Sequence, residues 1–493
     1  MKRFLSCLLC VLILVPALAA CASDDPADTT PADTDAADTT TVESASDTAE
    51  ETEPAYKLNV PSADYENASW NFLTLERQET GKMYQYIDIA WQEELEGDRF
   101  NDALYARNLK VEEDYKVVIS VTQNANLKGT LTNLVSSGDT TYSAVSLTMN
   151  EGLSAGQSNQ VYDISDMDAL QLDAPWWDEA LFRDLSIGSK KFLLTGDISV
   201  MDEEMLYVIF CNKKLLKDNN TADPYDLVRE GKWTLDKLHE LVGTVSKDLN
   251  GDGKMDENDI YGYGSDFSTA PLLFYAAGGS IAKCDSDGVP QLVLMSEKNE
   301  GIIERIGTFQ NDSAVANASK INGSWNTLST MLMEDRLLFR QGNVYNITGY
   351  REMISDFGVL PLPKESESQE DYCHVVATSY ATGITIPVTL TEEKLDQSCV
   401  ILAALSAHSG DVVNEYYEVN LKYKNTRDEA SFDMLEIIFE SKSYDLGKVF
   451  DWGALESGVI KTAIQQPGSF ASRYSKVSAK AEKAMNDSYE FFK

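Results

Sequence analysis

The chain has 493 residues, with 80 Asp and Glu against 41 Lys and Arg and a formal net charge of −39. That excess of negative charge excludes nucleic acid and anionic lipid surfaces as partners. A hydrophobic share of 43% with 10% aromatic residues describes a well-cored globular protein, long enough for two lobes.

Lys2 and Arg3 precede an almost unbroken apolar run, Phe4 to Val15, too short to span a bilayer stably and suited to a signal peptide. The run ends in Leu18-Ala19-Ala20-Cys21, small residues before a cysteine, as in a bacterial lipobox. Residues 1–20 are expected to be a leader. Cys21 would carry diacylglycerol and hold the protein on the outer face of the cytoplasmic membrane, its only membrane contact. Residues 21–55 are rich in Asp, Glu, Thr, Ala and Pro and contain no Lys or Arg. They predict a disordered acidic tether with a reach of roughly 35 Å.

From there strand and helix alternate. Ala68–Leu75 predicts a strand, Asn101–Glu113 a helix, Lys116–Thr122 a β-branched strand, Leu127–Val135 a helix and Tyr142–Thr148 a strand. This order predicts a parallel α/β sheet, whose ligands sit beyond the carboxyl ends of the strands. Glu76 and Asn150 are therefore candidate ligand contacts. A second α/β region starts near Pro175, with strands at Leu206–Cys211 and Asn343–Thr348 and a helix at Leu235–Val245. A strand at Ala381–Pro387 and a helix at Thr391–Ser409 follow, and the tail from Lys422 reads as largely helical.

The sharpest local motif runs from Asp248 to Asp259, with the Asp-x-Asn-x-Asp-Gly pattern of a calcium loop. Asp248, Asn250, Asp252, Asp256 and Asp259 would give side-chain oxygens and Lys254 its carbonyl, holding a structural calcium. The bland alternative is a polar turn that binds nothing. Four cysteines after Cys21, at 211, 284, 373 and 399, are widely spaced and read as free thiols. His239, His374 and His408 form no metal or nucleophile constellation. With no His-Glu-x-x-His and no phosphate loop, the chain reads as a non-enzyme.

Three stretches then carry a resemblance. Met205–Leu216, Gly231-Lys232-Trp233-Thr234-Leu235-Asp236 and Asp356–Lys364 resemble, in this order, segments of family 1 extracellular solute-binding proteins, the sugar-binding subunits of ABC importers. The resemblance implies an α/β fold, two-lobed and periplasmic-binding-protein-like, with a hinge between the lobes. On that pattern residues 56–170 and 370–420 make the first lobe, and 171–369 and 421–493 the second. It implies a monomer that captures a carbohydrate, such as an oligosaccharide, in the interlobe cleft and passes it to ABC permease subunits. Sensor, adhesin and glycoside-active enzyme are the alternatives.

Sugars need aromatic platforms flanked by polar groups. Trp176 and Trp177 are candidates, either for the cleft or for core and interface. Trp91 sits between strand-like and loop-like sequence. The resemblance adds Tyr350 and Arg351, after a strand end, and Trp452, near a stacking position.

Overall fold

The computed structural model describes residues 62–76, 98–417, 421 and 428–492. The leader, Cys21, the tether and Trp91 lie outside them. Tyr56–Lys493 is one compact unit. Its strands in chain order are β1 (Ala68–Leu75), β2 (Val117–Asn124), β3 (Ala144–Thr148), β4 (Tyr207–Asn212), β5 (Tyr261–Ser265), β6 (Ala282–Cys284), β7 (Pro290–Leu292), β8 (Val315–Asn317), β9 (Leu337–Asn343), β10 (Phe357–Leu360), β11 (His374–Val375), β12 (Thr382–Thr385) and β13 (Lys442–Ser443).

The first sheet has the order β12-β3-β1-β2, with β1 parallel to both neighbours and β12 antiparallel to β3. The helices between its strands start where local chemistry supplies a cap. Asp98 accepts from the Asn101 N–H at 3.1 Å to open α1 (Arg99–Tyr115). Asn126 caps α2 (Leu127–Ser137), and Thr148 caps α3 (Met149–Gln157) directly at the end of β3. One buried cluster, from Trp70 and Phe72 to Ile384 and Leu405, fills the space between this sheet and its helices.

The second sheet is mixed, in the order β10-β4-β9-β5-β8. Every residue of β4 and β9 is buried. That is why β4 reads as a continuous run rather than an alternating one. Trp233, wholly buried, donates its indole N–H to the Pro361 carbonyl at 2.8 Å, and Thr234 caps the helix Leu235–Val242. No helix among the described residues is long and apolar enough to cross a membrane.

Two expectations are corrected. Asn343–Thr348 is not a strand. The strand is β9, ending at Asn343, where the Asn346 side chain accepts the Asn343 N–H at 3.1 Å and starts a helical turn. Part of 171–204, expected in the second lobe, packs on the first sheet instead. Leu194 bridges Ile384 of β12, and Trp176, Trp177 and Ile198 belong to the cluster of Trp70 and Leu405.

Candidate functional site

The chain crosses between the two sheets just before β4 and again just before β12. At this junction the Ala377 N–H donates to the Met205 carbonyl at 3.3 Å, and the Asn150 N–H to the Thr378 carbonyl at 3.3 Å. The Val344 N–H reaches the Leu206 carbonyl at 2.9 Å. Asn150, in the first turn of α3, is thus held against the crossing segment, beyond the end of β3. Glu76 lies exposed just past β1.

Aromatic rings gather on the second-lobe side of the crossing. Tyr207, first residue of β4, meets the Trp325 ring edge-on at 6.3 Å. The Arg340 guanidinium, wholly buried, lies 4.3 Å from the centre of the Trp325 ring. Trp325 is half-buried at the start of the helix Trp325–Met333, and Tyr345 is half-buried just beyond β9. Burial pushes the Tyr207 hydroxyl up, and the nearby Tyr380 and Asp266 push it further, against the pull of Arg340. Tyr380, 40% exposed, comes from the segment entering β12. Sequence reading missed Tyr207, Tyr345, Tyr380 and Asp266, and left Trp325 open as lid or core.

The aromatic residues singled out from sequence lie elsewhere. Tyr350 is core: it is 2% exposed, meets Phe210 edge-on at 4.9 Å, and its hydroxyl donates to Ser329 Oγ at 3.2 Å. It ends a helical turn, not a strand, and its neighbour Arg351 is exposed. Trp452 is also core, stacked on Phe450 at 5.1 Å with its indole N–H on Ser488 Oγ at 2.9 Å. Neither ring offers a free face to a ligand.

Trp176 and Trp177 line a separate cavity of about 240 Å³ behind the crossing. Trp177 donates its indole N–H to the Leu170 carbonyl at 2.8 Å. Gly196, at φ +135°, lets the two backbones close up, because a Cβ there would lie 2.2 Å from the Trp176 carbonyl oxygen. Asp178 Oδ1 caps α4 (Glu179–Leu185), accepting from the Ala180 and Leu181 N–H groups. Its Oδ2 takes Lys442 Nζ at 3.0 Å and the Tyr444 hydroxyl at 2.7 Å. Lys442 also pairs with Asp202 and, at 2.9 Å, with Glu203 of α5 (Met201–Glu204). Burial opposes ionisation of Asp178, but Lys442 and Tyr444 outweigh it and hold its carboxyl below the ordinary range. Burial and then Glu203 push Asp202 well up. Burial and then Asp202 push Asp197 up to about 6.

The loop from Asp248 to Asp259 is drawn in by its own backbone. Asp248 Oδ2 accepts the Gly253 N–H at 2.9 Å, with Gly253 at φ +78°. Asn250 accepts from Asp252, Asp252 from Lys254, Asp256 from Asn258, and buried Asp259 from Leu249 and Asp256. Among the described residues no three His, Cys, Asp or Glu side chains come together as a metal-holding group. The expected carboxylate set is therefore not gathered around one point. The four described cysteines are free. Buried His374 accepts the Leu362 N–H at Nε2, and burial drives its pKa down to about 3, so it is a neutral core group.

No family model matches the sequence, and no curated relative does. Solved structures do match. An ABC substrate-binding protein from Listeria monocytogenes in complex with cycloalternan aligns with a TM-score of 0.52 at 12% identity, over 86% of this chain and 97% of that one. A cyclo/maltodextrin-binding protein complexed with maltotetraose aligns at 0.55 and 13%, over 86% and 96%. A family 1 extracellular solute-binding protein from Bifidobacterium longum subsp. infantis aligns at 0.51 and 14%, over 86% and 99%. The chain therefore has the α/β, two-lobed fold of the extracellular solute-binding proteins.

Proposed function

We propose that this protein captures a carbohydrate in the cleft between its lobes and hands it to an ABC permease. The reading rests on aromatic rings from both sides of the crossing: Trp325 edge-on to Tyr207, Tyr345 just beyond β9, and Tyr380 on the segment entering β12, against which Asn150 is held. A sugar lays its C–H face on an aromatic ring while carboxylate and amide groups take its hydroxyls. Contacts from both lobes exist together only when the cleft is closed, so ligand favours closure. Two of the similar structures hold saccharides, cycloalternan and maltotetraose. Calorimetric titration against neutral mono- and oligosaccharides tests the reading. Binding of a peptide or metal chelate in place of any sugar overturns it.

Two further parts of the reading come from the sequence. Cys21 bears the lipid that keeps the protein at the membrane surface, on the strength of the basic, apolar and small-residue order before it. The loop Asp248–Asp259 takes calcium. Its spacing and the turn at Gly253 support this, and binding would draw its carboxylates inward.

A further inference from the structure

The cavity walled by Trp176 and Trp177 is not part of the aromatic junction around Tyr207. Its lining carries four carboxylates, Asp178, Glu179, Asp197 and Glu203, and Lys442 is its one base. That base is already held by Asp178, Asp202 and Glu203. The carboxylate of Asp197 has no hydrogen bond or ion pair among the described residues, and Glu203 Oε2 is buried without a partner. Negative charge is thus left unanswered in a concave site whose walls are two indoles and the Tyr417 ring. Buried charge without a counter-charge is costly, and a bound cation removes that cost. A volume of about 240 Å³ admits a molecule of a few heavy atoms. Indole faces attract an ammonium group through the ring quadrupole, and an adjoining carboxylate adds a charge-assisted bond.

We propose that this cavity is a second ligand site, distinct from the interlobe cleft, and that it takes a small alkylammonium ion. Asp197 is the principal counter-ion, and Trp176, Trp177 and Tyr417 form the walls. The proposal does not depend on what the cleft binds. Lys442 reaches the cavity from β13, beyond the second-lobe helix Glu429–Glu440, while Trp176 and Trp177 belong to the buried cluster of the first sheet. An ion bound here therefore sits where the two halves of the molecule are tied together.

The test is tryptophan fluorescence of the full chain titrated with ethylammonium chloride and with tetramethylammonium chloride, against sodium chloride at equal ionic strength. A saturable change with either ammonium salt and not with sodium is expected. Asp197→Asn should weaken binding at least tenfold, and Val413→Trp, which fills the cavity, should abolish it. Circular-dichroism melting confirms that each variant is folded. The wild type alone gives an independent measurement: binding at pH 5 should be several-fold weaker than at pH 7.5. Over that interval Asp197, faced by Asp202, Glu203, Asp178, Tyr417 and Lys442, takes up a proton. A response identical to that of sodium chloride, or an unchanged affinity in a folded Asp197→Asn variant, overturns the proposal.

Discussion

Lys442 Nζ lies 3.0 Å from Asp178 Oδ2, joining the residue that opens β13 to the residue that caps α4. The lysine is nearly enclosed and serves three carboxylates, two of them buried. Lys442→Met should leave Asp178, Asp202 and Glu203 without a counter-charge and cost about 3 kcal/mol or more. Urea denaturation reads the loss. A variant as stable as wild type would show that the cluster contributes nothing net.

Asp197 should act in the opposite direction. Its folded pKa, about 6, lies above the ordinary 3.8, so its contribution is fully present below pH 4 and is lost as pH rises through 6. At pH 7.5 the ionised carboxylate is a burden. Asp197→Asn should therefore stabilise the protein by about 2 kcal/mol at pH 7.5 and leave it unchanged near pH 4. Melting curves at the two pH values, in buffer free of amines, measure the difference. Equal effects at both would refute the assignment.

In the cleft, Trp325→Ala and Tyr345→Ala should each lower saccharide affinity about tenfold or more, with melting temperature little changed, since each removes one stacking platform. Trp452→Ala should do the reverse. It removes a buried ring stacked on Phe450 and should cost about 3 kcal/mol of stability, with sugar affinity per folded molecule retained. Calorimetry with denaturation on the same samples separates the two patterns.

Chelation tests the loop. Binding to the native state alone adds about 2.7 kcal/mol at a hundredfold excess of calcium over its dissociation constant. EGTA should lower the melting temperature, and Asp252→Ala should remove that sensitivity. Superimposable curves with calcium and with EGTA would leave the loop as a self-bonded turn.

Cys21→Ala should move the protein from the membrane fraction to the medium. Retention at the membrane, with no diacylglycerol mass on the wild-type N-terminus, would dismiss the anchor.

Much of the frame was legible. β1, β2 and β3 carry β-branched and aromatic runs between capped helices, and β4 is apolar from Tyr207 to Cys211, so strand order and a parallel first sheet followed. The rule of strand ends put Asn150 beside the crossing segment, where its N–H meets the Thr378 carbonyl, and left Glu76 exposed past β1. An aromatic residue in a sequence does not say which way its ring faces. Tyr350 and Trp452 looked like platforms and are core. Tyr207 drew no notice at the start of an apolar strand, yet it is the ring that Trp325 meets edge-on. Trp176 and Trp177 do share one cavity. Lys442 and Tyr444, which bond the adjacent Asp178, lie more than two hundred residues away, beyond any local pattern.

The antiparallel edge formed by β12 has a consequence for biogenesis. Thr385 Oγ1 donates to the Val145 carbonyl, 240 residues earlier in the chain. While the intervening polypeptide is being delivered, β3 has no neighbour on that side, and its row of backbone donors and acceptors stays open to any passing strand. Pairing of such distant segments is intrinsically slow, because the loop must close before any contact rewards it. The first sheet cannot be completed until β12 has been made. The nascent protein must pass through an interval of exposed strand edge, and a folding helper would act on it then.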